Sequence, residues 1–137
     1  MYVENSVIPT NEQLKTLADE SATGPIYMLN LLKFKEKAEY PDGRETNLTG
    51  HEAYRIYGIE VLAHLTKVGG KAIFYGDVSQ LLLGTVEELW DEVAIAMYPT
   101  RQAMLQMIMD PDYLASAVHR EAGLAGQLNI ETIVPGT

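Results

Sequence analysis

A chain of 137 residues in which 47% of the side chains are hydrophobic has the length of one domain and enough apolar material for a single core. Asp plus Glu at 19 against Lys plus Arg at 10 give a formal charge of -9, which opposes binding to phosphate backbones and anionic membranes. There is no cysteine to make disulfides, thiolate nucleophiles or sulfur metal sites. No run is long and apolar enough to span a bilayer, and the first residues, MYVENSVIPT, lack the basic flank and apolar centre of a secretion signal. A soluble cytoplasmic protein is expected, with neither nucleic acid nor membrane as partner.

In chain order, Thr10-Asn11-Glu12-Gln13 has the pattern of a capping box, and Leu14, Leu17 and Ala18 give the short helix that follows an apolar face, ended before Gly24-Pro25. IYMLNLLKF, Ile26 to Phe34, is the first strong strand. Its period-two alternation sets Ile26, Met28, Asn30, Leu32 and Phe34 against Tyr27, Leu29, Leu31 and Lys33. The polar segment Lys35 to Asn47, with Pro41-Asp42-Gly43, reads as a long loop or hairpin. Thr49-Gly50-His51-Glu52 then opens the longest helix, whose Ala53, Tyr54, Tyr57, Val61, Leu62, Leu65 and Val68 repeat at three and four until Gly69-Gly70.

A second strand is expected from Lys71 to about Val78, with Leu81-Leu82-Leu83 extending it past a kink. Val93 to Tyr98 is an uncharged run too short for a helix before Pro99, and reads as a strand buried on both faces. Thr100 caps a helix carrying Met104, Met107 and Ile108. Asp110-Pro111 restarts it, and His119 and Arg120 finish the second segment before Gly123 and Gly126. A last strand runs from Gln127 to Val134.

Without the leading helix the order is β-α-β-β-α-β, the α+β ferredoxin-like arrangement of a four-stranded antiparallel sheet with helices on one face. The chain divides into a helical extension over 1–24 and a ferredoxin-like core over 25–134. Both sheet faces are apolar while the helices cover one, so a second copy of the chain is expected on the other.

Met28-Leu29-Asn30-Leu31-Leu32-Lys33-Phe34, Ala53-Tyr54 with Tyr57, Gly69-Gly70, Tyr98-Pro99-Thr100-Arg101, and Met107 through Asp110-Pro111-Asp112-Tyr113 to His119-Arg120 occur in that order. In this combination the chain resembles the dimeric α+β barrel superfamily, and within it the uncharacterised family labelled domain of unknown function thirteen-thirty. The resemblance covers about residues 25–134. It implies a ferredoxin-like fold pairing sheet to sheet, with a pocket between each sheet and its helices. It implies no single reaction, because superfamily relatives include monooxygenases, haem-degrading enzymes, dismutases, isomerases and cyclases. The leading helix departs from the shortest members and could cover or lengthen the pocket.

His119 near a helix C-terminus could serve as a general acid or base, or could simply bond a carbonyl there. Asn30 in an apolar strand could orient a substrate oxyanion, or be a core amide with all its bonds satisfied. Arg101 could bind a carboxylate, or pair with Asp91, Asp110 or Glu121. Tyr54 and Tyr57 share a helix face as substrate contacts or core, and Trp90 with Met104, Met107 and Met109 could line an apolar pocket or pack the core. His51, His64 and His119 show no short metal-ligand spacing, and Glu52 and Glu60 read as helix-surface acids, so no metal is assigned. No phosphate-cradling glycine loop or nucleophile elbow is present, and no cofactor is assigned.

Two functions remain open. One is a cofactor-free proton-transfer or oxygenation enzyme acting on an apolar or aromatic molecule, with His119 and Asn30 catalytic and Tyr54, Tyr57, Trp90, Arg101 and Met107 around the substrate. The other is a non-catalytic homodimer carrying a small hydrophobic ligand. The enzyme reading requires His119 and Asn30 to face one cavity within about 7 Å of each other, so that one substrate bridges them.

Overall fold

The nine residues Ile26–Phe34 form the strand from which the sheet is built, because their alternation gives one side to the helices and the other to the outside. The structure is a computed structural model and describes residues 2–19 and 21–136. Its elements are α1 (Asn11–Leu17), β1 (Ile26–Phe34), α2 (Gly50–Lys67), β2 (Lys71–Asp77), β3 (Glu92–Tyr98), α3 (Arg101–Ile108), α4 (Pro111–Gly123) and β4 (Leu124–Thr132). The strands form one antiparallel sheet in the order β2-β3-β1-β4, the ferredoxin-like topology expected from the element order.

Local chemistry sets the helix starts as the sequence predicts. Thr10 with Gln13 and Thr49 with Glu52 make capping boxes, Thr100 caps α3, and Asp110 caps α4 with Pro111 at its first position. Gly69, at φ +80°, ends α2.

Three boundaries differ from expectation. α4 does not stop at His119-Arg120 but runs through Gly123, and β4 begins at Leu124. Gly123 is chosen there for close packing, not for a turn: a Cβ on it would lie 2.4 Å from Gly50 O. Leu81-Leu82-Leu83 do not extend β2, which ends at Asp77. They lie in the connection to β3, with Leu82 91% exposed and no strand partner. The leading helix is shorter than the stretch up to Gly24, ending at Leu17 with Ala18 as its cap.

Ile26, Met28 and Leu32 of β1, Tyr98 of β3 and Leu124 of β4 face the helices. They pack with Tyr54, Tyr57 and Leu65 of α2, Met104 and Met107 of α3 and Tyr113 and Ala117 of α4. A second buried group, Ala38, Tyr40, Ala53 and Ala122, closes the long β1–α2 connection against α2 and α4. On the outer face, strand register places Leu29 and Leu31 beside Ile95 and Val93 on one side and Ile130 and Leu128 on the other, with Phe74 beyond Ile95. None of these outer residues reaches full burial, and Phe74 and Ile130 are exposed.

The segment before β1 is fastened to the helix side. Ser6 N donates to Gln127 O, and Arg120, Arg101 and Gln102 donate to the carbonyls of Val7, Thr16 and Asp19. Among the described residues no helix is long and apolar enough to cross a membrane.

Candidate functional site

β2 ends, β3 begins and α2 begins at one end of the sheet, and the antiparallel register of β2 and β3 sets Asp77 opposite Glu92 there. The N-terminal turn of α2 brings His51 over the same point. A cleft of about 480 Å³ opens beside them, lined by Phe34, Lys35, Thr49 and His51 and by the carboxyl groups of Glu36, Asp77, Asp91 and Glu92.

Glu92 is the unusual residue, a carboxylate only 4% exposed at the start of an apolar strand. Its Oε2 lies 3.0 Å from His51 Nε2, and its Oε1 accepts from the Tyr75 hydroxyl. Burial raises the Glu92 carboxyl above its usual range and the neighbouring Asp77 carboxyl raises it further, while Tyr75 and His51 act in the opposite direction. Burial, and then the carboxylate it bonds, also raises the Tyr75 phenol. His51, with its side chain 45% exposed, is held by a stacked Phe34 ring at 4.9 Å between centroids. One ring nitrogen of His51 and one carboxylate oxygen each from Asp77 and Glu92 lie within 4.8 Å of one another.

The lysines at this end are occupied elsewhere, Lys35 with Glu39. Lys33 Nζ reaches Glu88 at 3.1 Å, Asp91 at 3.2 Å and the Leu89 carbonyl at 3.0 Å, and these carboxylates raise its pKa. Asp91 also accepts from Phe34 N at 2.9 Å, which ties the start of β3 to the end of β1.

The structure spreads the sequence-predicted site residues over several environments. His119 Nδ1 bonds the Tyr40 hydroxyl at 2.7 Å, with the two rings edge to face, beside the group of Ala38, Tyr40, Ala53 and Ala122. Asn30 does face the helices, but its amide is fully engaged. Nδ2 donates to the carbonyls of Met28 and Ala94 at 3.2 Å, and Oδ1 accepts from Gln127 at 2.6 Å. His119 and Asn30 share no hydrogen-bond partner.

Arg101 forms a two-pronged pair with Glu131, at 2.7 and 2.8 Å, and not with Asp91, Asp110 or Glu121. The reason is position: Glu131 stands opposite Met28 in the strand register, on the helix-facing side of β4 and within reach of the first residue of α3. Tyr54, Tyr57 and Met107 belong to the main core, where the Tyr57 and Tyr113 hydroxyls bond each other at 2.9 Å. Trp90 is half-buried just before β3, and Met109 is exposed.

Sequence reasoning missed Asp77, Glu92 and Tyr75, and passed over His51, because their proximity arises from the β2–β3 register and not from spacing along the chain. One signal was available: Glu92 directly precedes an uncharged strand, so a carboxylate stands at the threshold of a buried run.

The fold is shared with solved structures of low identity. A dabb family protein with a ferredoxin-like fold from Mesorhizobium loti superposes with a TM-score of 0.50 at 12% identity, over 83% of this chain and 100% of that one. SnoaB, a cofactor-independent oxygenase from Streptomyces nogalater, superposes at 0.52 and 13%, over 84% and 97%. These define the class as an α+β protein of ferredoxin-like fold.

Two structures of RPA0582, a protein of unknown function from Rhodopseudomonas palustris, are far more similar. They have TM-scores of 0.84 and 0.83 at 38% and 34% identity, covering 97% and 96% of this chain and 98% and 100% of theirs. The chain belongs to the RPA0582 family. No family model and no curated protein matches it.

Proposed function

We propose that the chain is a small-molecule-binding homodimer whose ligand site is the cleft at the sheet end, beside His51, Glu92 and Phe34. The observation that carries this reading is the buried Glu92 carboxylate. Holding a charge out of water costs several kcal/mol unless it is compensated, and nothing in the packing of the ferredoxin-like core calls for a carboxylate at that position. The cleft differs in character from the apolar pocket expected between sheet and helices, where Tyr54, Tyr57, Met104 and Met107 take up the space. It offers one aromatic wall, Phe34 stacked on His51, and polar groups on the rest. Such a lining, with four carboxyl groups in it, suits a flat or aromatic molecule bearing hydroxyl or amino donors.

The dimer is supported by the outer sheet face, where Leu29, Leu31, Val93, Ile95, Leu128, Ile130 and Phe74 make a continuous apolar layer. The sequence features shared with the domain of unknown function thirteen-thirty family support placing the chain there. Proton transfer on the bound molecule is the second reading. It is favoured by the His51–Glu92 contact, in which the carboxylate orients the ring and leaves Nδ1 for a substrate.

Sedimentation velocity at micromolar concentration is expected to give a dimer, and Ile95→Lys a folded monomer. A panel of phenols and aromatic amines, followed by amide chemical shifts, is expected to perturb Phe34 and His51, and His51→Ala to abolish the response. A monomeric wild type, or ligand shifts unchanged in His51→Ala, overturns the corresponding half of the proposal.

A further inference from the structure

We infer that the cleft holds one divalent first-row transition-metal ion on three protein ligands: His51 Nε2, an Asp77 carboxylate oxygen and Glu92 Oε2. The inference rests on the same reading of the cleft as the working site, though not on the dimer. The three residues come from α2, β2 and β3, and one ligand atom of each lies within 4.8 Å of the others. Donors bound to one ion at about 2.0–2.2 Å stand about 3–4 Å apart, so small side-chain adjustments gather this set. His51 Nε2 and Glu92 Oε2, at 3.0 Å, already have that spacing.

Three features separate this group from an ordinary run of surface acids. First, it contains an imidazole, which favours zinc, iron, nickel, cobalt or manganese over magnesium or calcium. Second, two of its ligands are held from behind. The Tyr75 hydroxyl occupies Glu92 Oε1 and leaves Oε2 as the donor, and the Phe34 ring fixes the plane of His51.

Third, two carboxyl groups face each other. Asp77 and Glu92 stand at directly opposed strand positions, an arrangement that destabilises a ladder when both are charged unless a proton or a cation lies between them. Lys33 is committed to Glu88 and Asp91, Lys35 pairs with Glu39, and Arg55 reaches Tyr75 only through its field. Three protein ligands on the wall of an open cleft leave positions on the ion for water or for an oxygen-bearing ligand. With the ion bound, His51 ceases to be a free base, and an ion-bound water takes that place.

The test is calorimetric titration of the chelator-treated full chain with Zn²⁺, Mn²⁺ and Mg²⁺ at pH 7. The expected result is one Zn²⁺ per chain, with Mn²⁺ weaker than Zn²⁺ and Mg²⁺ weakest. Asp77→Asn, at an exposed position, is expected to weaken Zn²⁺ binding at least about tenfold with an unchanged far-ultraviolet spectrum. His119→Ala is expected to leave it unchanged. Absence of saturable Zn²⁺ binding below about 1 mM, or equal affinity in Asp77→Asn and wild type, overturns the inference. Sedimentation and aromatic-ligand shifts measured on the same chelated protein report separately on the dimer and the cleft, so a failed ion does not pass for a failed binding site.

Discussion

Gly50 and Gly123 meet backbone to backbone where α2 crosses α4: a Cβ on Gly50 would lie 2.7 Å from the Gly123 oxygen, and one on Gly123 2.4 Å from the Gly50 oxygen. Lys35 completes the junction, its N–H donating to Gly123 O at 2.8 Å. Because His51 follows Gly50 directly, this contact sets the height of the imidazole over the cleft. Gly123→Ala forces main chain apart, since the obstructing atoms are backbone and cannot rotate away. A loss of about 3 kcal/mol is expected, read as a lower urea midpoint at unchanged slope. The residual folded protein should also lose the His51–Glu92 contact, visible as a shifted His51 imidazole resonance.

Asn30 is expected to act on stability and not on chemistry. Its amide supplies two donors to strand carbonyls and one acceptor to Gln127, which in turn accepts from Arg120. Asn30→Ala should cost about 2 kcal/mol by leaving Gln127 short of a partner. Asn30→Asp, nearly the same shape, should cost more, because it turns an acceptor oxygen toward the carbonyls of Met28 and Ala94. Thermal melts at pH 7 rank the three proteins. An Asp variant more stable than the Ala variant contradicts the assignment.

Elements governed by local chemistry were legible from the residues alone. β1 has the predicted bounds because alternation and the Gly24-Pro25 break are local signals, and the caps at Thr49, Thr100 and Asp110 are side chains bonding their own helix starts. The errors lie where tertiary contact overrides a local signal. Gly123 looks like a helix stop and is a packing contact. Leu81-Leu82-Leu83 looks like buried strand, yet no neighbouring strand offers a ladder there, so Leu82 stands in solvent. The cleft was the least legible feature, because strand register alone unites Asp77 with Glu92. Leu82→Ser is therefore expected to change the stability of the isolated chain by less than about 0.5 kcal/mol in urea unfolding, where a buried strand leucine would cost several times more.

The Arg101–Glu131 pair gives stability a defined acid dependence. Arg101 holds the Glu131 carboxyl below its ordinary value of 4.5, against a smaller opposing effect of burial. A carboxyl depressed in the folded state stabilises the fold above its unfolded value, and that contribution is lost as pH falls through the folded value. Wild type should accordingly lose stability from about pH 5 downward. Glu131→Gln should be less stable by about 1 kcal/mol at pH 7 yet converge on wild type near pH 3. Urea midpoints at pH 7, 5, 4 and 3 follow the two curves, and parallel curves would mean that Glu131 titrates normally in the fold.

The Tyr57 and Tyr113 hydroxyls, bonded at 2.9 Å, link α2 to α4 inside the main core. Burial raises the Tyr57 phenol well above its usual range, so its hydroxyl stays neutral at any ordinary pH. Removing one hydroxyl leaves the other buried without the partner it has in the fold, whereas removing both leaves two rings that still pack edge to face. Tyr57→Phe and Tyr113→Phe should each cost about 1–2 kcal/mol. The double variant should cost clearly less than their sum, a coupling of about 1 kcal/mol in a double-mutant cycle from urea midpoints. The double variant should keep the wild-type response of Phe34 and His51 to aromatic ligands, since neither phenol lines the cleft. Additive losses would show that the two hydroxyls are not partnered. A lost ligand response in a folded double variant would return Tyr57 to the binding site that its helix spacing first suggested.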